Sequence, residues 1–235
     1  MKLSLGITTH ERPSLTLNSF REIYSDPRIT DIVIVDDCSS MESYSQLKEN
    51  ITQGFYNVAR KFRIHRNEQN LGMSRNKCEV VGLCRENFVL LADSDNKFGV
   101  DYLNAIEKLG KLEPDTIYCP DSARPSFIYK KFSGRTFDIT NVKELVSDDM
   151  GNCSMNTSNY VVPREAYLET YEYNPDMKGT DTIWMAYLWL KAGGKFQIVD
   201  GLGYDHLQHT GSGFLQDLNY NMAQAEKIRK MILEL

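Results

Sequence analysis

The sequence predicts an α/β fold: one domain with a central mixed, mostly parallel sheet flanked by helices. Two observations carry this. Short β-rich runs at 2–8, 31–35, 62–65 and 88–92 alternate with stretches long enough for a helix, a rhythm that specifies parallel strands joined by helical crossovers. Beyond residue 110 the alternation loses its regularity, with strand candidates at 116–120, 127–132, 160–163 and 196–199, so the second half is expected to add strands of mixed direction.

The helices follow from period and punctuation. Residues 13–24 open on Pro13 and carry Leu15, Leu17, Phe20, Ile23 and Tyr24 at helical spacing, and 74–83 begins after Gly72 with the same period. Residues 181–192 form a helix that ends at Gly193 and Gly194, where glycine supplies the left-handed cap. An amphipathic helix is expected over 216–235. With no internal repeat and no linker rich in Pro, Gly or Ser, 1–235 is read as one continuous domain.

Composition excludes several classes. Hydrophobic residues at 41% and aromatics at 11% indicate a compact chain with a proper core rather than a disordered one. A net charge of −5 argues against a nucleic-acid partner, which needs a basic face. The densest basic stretch, Arg60, Lys61, Arg63 and Arg66, is expected to be solvated surface. Five cysteines without a CxxC pair suggest neither a zinc cluster nor a disulfide framework, and fit reduced thiols in the cytoplasm. No signal peptide or membrane span is read from the chain.

In open α/β sheets the ligand lies beyond the carboxyl ends of the strands, and the polar clusters of this sequence fall there. Strand one ends in Thr8, Thr9, His10, Glu11 and Arg12, strand two in Asp36 and Asp37, and strand four in Asp93, Ser94 and Asp95. Carboxylates two residues apart on a strand end share a direction. Hard oxygen donors of this kind suit Mn²⁺ or Mg²⁺ bridged to a diphosphate, since such ions take one or two carboxylates plus phosphate oxygens. The plainer alternative is that an Asp-Ser-Asp-Asn run is turn chemistry or a helix cap.

Taken in order, the motifs resemble family 2 glycosyltransferases of the GT-A fold. "GITTHERP" resembles that family's first strand and turn, "DIVIVDDCSS" its VDDGS segment, and Asn67 to Asn76 its N-x-G helix start, one residue shorter between Gly72 and Arg75 than the commonest spacing. "LLADSDNKF" resembles the D-x-D segment, "NTSNYVVPREAYLE" the acceptor-side strand, and "KGTDTIW" the G-E-D-x-x-W motif, with Thr180 in place of Glu.

The resemblance implies a nucleotide-sugar-binding half over 1–110 and an acceptor-binding half over 111–235. It places Thr8, His10, Arg12 and Asp37 around the nucleotide base, with Arg75 as a further contact. Asp93 and Ser94 would lie by the ribose, and Asp95 on a Mn²⁺ or Mg²⁺ ion. Asp181 would be the general base for an acceptor hydroxyl, giving inversion at the anomeric carbon. His206 and His209, in "GYDHLQHTGSG", are candidates for a further metal or phosphate ligand. Bland alternatives stand beside these: Arg12 could only shape a turn, Asp37 could cap a helix, and Asp181 could cap the helix it begins.

The implied partners are a nucleoside-diphosphate sugar and a glycan, lipid-linked or small-molecule acceptor. A lipid-linked acceptor leaves peripheral membrane association open, although the C-terminal helix alternates acids and bases on its polar face, which disfavours anionic lipid. Three other readings remain: a retaining glycosyltransferase, a non-catalytic sugar-nucleotide binder, and a response-regulator receiver. The receiver fits poorly, because a complete strand and helix precede Asp36 and Asp37. A sugar-nucleotide pyrophosphorylase would open with a Gly-rich phosphate loop, which "GITTHERP" is not.

Overall fold

Strands that are apolar on both faces need cover on both sides, and the chain supplies it. The computed structural model describes residues 1–207 and 212–235. Its first part runs β1 (Leu3–Thr9), α1 (Pro13–Phe20), β2 (Ile29–Asp36), α2 (Met41–Gly54), β3 (Phe62–Arg66), α3 (Met73–Leu83), β4 (Phe88–Asp93) and α4 (Val100–Glu107). Then come β5 (Thr116–Arg124), β6 (Phe127–Ile128), β7 (Thr136–Phe137), α5 (Val142–Val146), α6 (Asp149–Ser154) and β8 (Val161–Pro163). The chain closes with α7 (Arg164–Thr170), α8 (Asp181–Lys191), β9 (Lys195–Asp205), α9 (Gly213–Gln216) and α10 (Leu218–Leu233).

One nine-stranded sheet in the order β3-β2-β1-β4-β8-β5-β9-β7, with β6 on β5, spans both halves of the chain. The β3-β2-β1-β4 block is parallel, β8 runs antiparallel to both β4 and β5, and β5 and β9 are parallel. The expected mixed, mostly parallel sheet is therefore present. Period two along the strands sorts the core. Leu5, Ile7, Ile32, Ile34, Leu90 and Ala92 pack against α1, α2 and α4, while Val33, Val35, Val89 and Leu91 meet α3, α8 and α10 on the other face.

Four local expectations are corrected. Residues 127–132 form only the two-residue β6 and a 3₁₀ turn at Lys130–Phe132. Tyr129 and Phe132, three apart, are both buried, and one turn of 3₁₀ helix puts that spacing on a single side. The last strand does not stop at Val199 but runs to Asp205, bulging opposite Pro120 and Ser122. Gly201 takes φ +75° there, and a Cβ on Gly203 would lie 2.6 Å from the Ser122 hydroxyl. These glycines carry the strand through a close approach instead of ending it.

Helix α1 stops at Phe20 rather than continuing to Tyr24. The basic stretch is not simply solvated either. Arg63 donates to Asp31 at 2.8 Å and to the Leu83 carbonyl at 2.7 Å, and Arg66 donates to the Ser39 carbonyl at 2.6 Å. All five cysteines are free thiols.

The end of α8 shows why two glycines stand together. The Gly194 amide donates to the Trp189 carbonyl and the Gly193 amide to the Leu190 carbonyl, each at 2.9 Å; this is a Schellman closure. Gly193 has φ +87°, whereas a Cβ on Gly194 would sit 2.4 Å from the Trp189 ring. That ring is pinned in the core by its Nε1 hydrogen bond to the Lys195 carbonyl at 2.9 Å. Gly193→Ala should cost about 1–2 kcal/mol from its left-handed backbone, and Gly194→Ala about 1–3 kcal/mol from overpacking. Urea denaturation of the two variants checks both values; no loss in Gly194→Ala would contradict the packing.

Candidate active site

The carboxyl ends of β1, β2 and β4 open onto one cavity of about 390 Å³, which is also lined by His206 and Leu207, just after β9, and by the start of α8. Thr8, His10, Arg12, Asp37, Asp93, Ser94, Asp95, Asp181 and His206 all line it. Most of the expected site residues are thus brought together. Arg75 is not among the lining residues: it is exposed on α3, its guanidinium 5.4 Å from the centre of the Tyr173 ring. His209 lies outside the described residues.

Asp37 is buried at the tip of β2 and organises the loop that follows β3. Its Oδ1 accepts from Asn67 Nδ2 and the Leu71 amide, each at 2.8 Å, and its Oδ2 from the Gly72 amide at 2.9 Å. Gly72 turns the chain at φ +80° and caps α3. Asn67 also donates to Asn76 Oδ1 at 3.0 Å, and Asn76 donates to the Val35 carbonyl. Asp37 is therefore not the cap of the helix after it; Ser40 caps α2. His10 Nδ1 stands 3.0 Å from the Asp37 carbonyl. A carbonyl can only accept, so Nδ1 is the donor of this bond.

Asp95 pairs with Arg12, with Nη1 2.5 Å from Oδ2. Arg12 sits at the N-terminus of α1, where its carbonyl accepts from the Thr16 amide and hydroxyl. His206 follows β9 directly, and its amide donates to the Arg124 carbonyl at 2.7 Å. Asn96 Oδ1 accepts from the Leu207 amide and also meets His206 Nδ1 at 3.0 Å. Nδ1 is therefore the donor of this bond.

Asp181 is the first residue of α8; Thr180 occupies the cap position. Its Oδ2 lies 2.9 Å from Lys77 Nζ, which is also 3.4 Å from Asp93 Oδ1 and 3.3 Å from Thr182 Oγ1. Lys77 and Asp181 are both buried, and Asp93, partly exposed, lines the cavity. Burial alone would lower the pKa of the Lys77 ammonium, but the Asp181 and Asp93 carboxylates outweigh it and hold that pKa above the ordinary lysine value. Burial also raises the Asp93 carboxyl, and Asp95 and Asp181 reinforce the rise while Lys77 opposes it.

Lys77 is the residue that the motifs did not reveal. The signal was its place on α3: Lys77, Val80, Val81 and Cys84 form the buried stripe at helical spacing, and a charge on such a stripe needs a partner. The wall across from β4 was missed as well. Ser158 and Asn159 have φ values of 61° and 64°, a conformation that non-glycine residues take at some strain. Tyr102 donates to the Asn159 carbonyl at 2.6 Å and Tyr204 to the Thr157 carbonyl at 2.9 Å, while Asn159 Oδ1 accepts from the Asp93 amide at 2.9 Å.

The family model of glycosyl transferase family 2 matches residues 4–149, more than half of the chain. The fold is similar to that of residues 1–349 of S. aureus TarS in complex with UDP-GlcNAc, at a TM-score of 0.70 and 12% identity, covering 99% of this chain and 70% of that one. It is also similar to the mannosyltransferase PcManGT from Pyrobaculum calidifontis, in complex with GDP-Man and Mn²⁺ (TM-score 0.66, 12% identity, 99% and 69% covered). A third likeness is to GalNAc-T7 with UDP, GalNAc and Mn²⁺ (TM-score 0.65, 16% identity, 89% and 44% covered). No curated protein sequence matches significantly.

The sheet and its covering helices are those of a GT-A glycosyltransferase. The chain belongs to glycosyl transferase family 2.

Because three donors converge on Asp37, removing its carboxylate leaves the Leu71 amide and one Asn67 N–H without that acceptor, while the Gly72 amide keeps Asn70 Oδ1 at 3.0 Å. Asp37→Ala should destabilise the protein by about 2–4 kcal/mol, at 1–3 kcal/mol per buried group left unsatisfied. Hydrogen exchange should show the Leu71 amide losing protection. Unchanged protection there would show that the loop stands without Asp37.

Proposed function

We propose that the protein transfers a sugar from a nucleoside diphosphate to an acceptor hydroxyl, with a divalent cation at the diphosphate and inversion at the anomeric carbon. The observation that carries this is the meeting of Asp93, at the end of β4, and Asp95, in the turn after it, with Asp181, from α8, on the walls of one cavity. The base end of the donor would lie by Thr8, His10, Arg12 and Asp37, and the ribose by Asp93 and Ser94. Residues 1–110 would then bind the donor and 111–235 the acceptor.

The donor set fits a hard cation. Among the described residues no group of three or more His, Cys, Asp or Glu side chains is gathered as a metal cage. Mn²⁺ or Mg²⁺ needs no such cage when phosphate oxygens complete its shell. Asp95 would hold the ion, with His206 Nε2 as a second ligand, and His209, whose residue lies outside those described, is the other candidate. When bound, the ion neutralises charge on the diphosphate leaving group.

The chain's own chemistry is proton removal and charge placement. Asp181 accepts the proton of the acceptor hydroxyl as that oxygen attacks the anomeric carbon; the sugar–phosphate bond breaks, and the diphosphate leaves on the opposite side. Trp184, one turn further along α8 and buried, keeps water from that part of the helix, held by its Nε1 hydrogen bond to the Glu172 carbonyl at 2.9 Å. No helix among the described residues is long and apolar enough to cross a membrane; a peripheral association through a lipid-linked acceptor is compatible with the proposal.

Two variants test the assignment. Asp95→Ala should weaken Mn²⁺-dependent donor binding by about 10-fold or more, on the scale of losing a metal ligand or its support. Calorimetry with UDP-GlcNAc and GDP-mannose, with and without Mn²⁺, reads this directly, and unchanged Mn²⁺ dependence would remove Asp95 from the metal site. Asp181→Asn should keep donor affinity and lose about 10²-fold or more in turnover. Wild-type turnover in that variant would exclude Asp181 as the base.

A further inference from the structure

Helix α3 carries a cation between the two halves of the site, and its placement implies a task. Lys77 Nζ reaches Asp181 Oδ2 at 2.9 Å, Asp93 Oδ1 at 3.4 Å and Thr182 Oγ1 at 3.3 Å. An ammonium has three N–H donors, and these three oxygens match them. We propose that Lys77 is a positioning residue: it holds Oδ2 of Asp181 so that Oδ1 receives the acceptor proton, and it ties that base to Asp93 on the donor side. This rests on the reading of Asp181 as the base.

Three further observations support it. Behind the Lys77–Asp181 pair lies a small void of about 20 Å³ bounded by Tyr160, Tyr167, Met185 and Phe196. The ammonium therefore has mainly apolar and aromatic surroundings on that side, and its charge is met by the two acids in front of it. Next, the root of Lys77 is fixed. Asn76, its neighbour, is bonded to Asn67 and to the Val35 carbonyl, and Asn67 is bonded to Asp37. The hydrogen-bond chain that sets the donor loop thus also sets where Lys77 stands.

Finally, Asp93, Asp95 and Asp181 share one cavity. Arg12 meets Asp95, whereas Asp93 and Asp181 share Lys77. Removing that ammonium leaves two carboxylates facing one another without a cation between them, and repulsion would turn Asp181 away from the acceptor. A purely structural ion pair would instead affect stability and leave the chemistry of the folded fraction alone.

The test compares wild type, Lys77→Met, Lys77→Arg, Asp181→Asn and the double variant Lys77→Met/Asp181→Asn. Turnover is read as nucleoside diphosphate release with Mn²⁺, on a donor that the wild type consumes, screened from UDP-GlcNAc, UDP-glucose, UDP-galactose and GDP-mannose. Donor affinity is read by calorimetry and folding by thermal melting. In folded Lys77→Met, kcat should fall by about 100-fold, the range of a displaced catalytic group, while donor Kd moves less than about 3-fold. Lys77→Arg should restore about 10-fold of the loss.

The double variant should be no slower than Asp181→Asn, because groups that act as a unit are not additive. If Lys77→Met does not fold, Lys77→Gln carries the same comparison. A kcat within about 3-fold of wild type in the folded variant, or full additivity with Asp181→Asn, would overturn the positioning role. Full activity in Asp181→Asn would instead sink the base assignment, so the two failures are distinguishable.

Discussion

Like charges resist being gathered, and this site gathers four carboxylates around a cavity of about 390 Å³. Each is balanced in its own way. Asp37 is met by backbone amides and Asn67, a fixed neutral set that builds a loop. Asp95 is met by Arg12 from the neighbouring strand end. Asp93 and Asp181, which approach from different halves of the chain, share the buried ammonium of Lys77. The opposing charges and amide donors make the acidic arrangement tolerable.

The fold delivers these groups by simple geometry. Parallel strands end on the same side of a sheet, so the tips of β1, β2 and β4 converge without any dedicated scaffold. Antiparallel β8 and the parallel pair β5 and β9 then extend the same sheet and bring α8 and His206 to the opposite wall. The strained turn at Ser158 and Asn159 joins the two parts. Asn159 grips the Asp93 amide, and Tyr102 and Tyr204 hold the turn from behind. Strain at a cavity wall, braced by buried hydroxyls, is what a preorganised site looks like in structural terms.

Much of this was legible in the sequence because local patterns report local facts. Apolar runs closing on Asp37 or Asp93 mark strand tips, and the glycines after Lys191 mark a helix end. What escaped was set at a distance. Lys77 finds its partners 16 and 104 residues away, and only its intrusion on an apolar helical stripe hints at them. The strand candidate at 196–199 stops short of Gly201 and Gly203, yet these glycines serve the passage of β9 past Ser122. Tyr129 and Phe132 have strand-like composition, but residues 130–132 form a 3₁₀ turn that puts both on one side. Arg63 and Arg66 look like surface charge until Asp31 and the Ser39 carbonyl are placed against them.

The central claim is that one cavity at the strand ends holds a sugar nucleotide between the β4 acids and Asp181. A crystal structure of the protein with Mn²⁺ and a nucleotide sugar it binds tests this most directly. The account predicts the diphosphate and the ion beside Asp95, and the anomeric carbon turned toward Asp181. A nucleotide bound elsewhere, or in this cavity with its sugar directed away from Asp181, would contradict it.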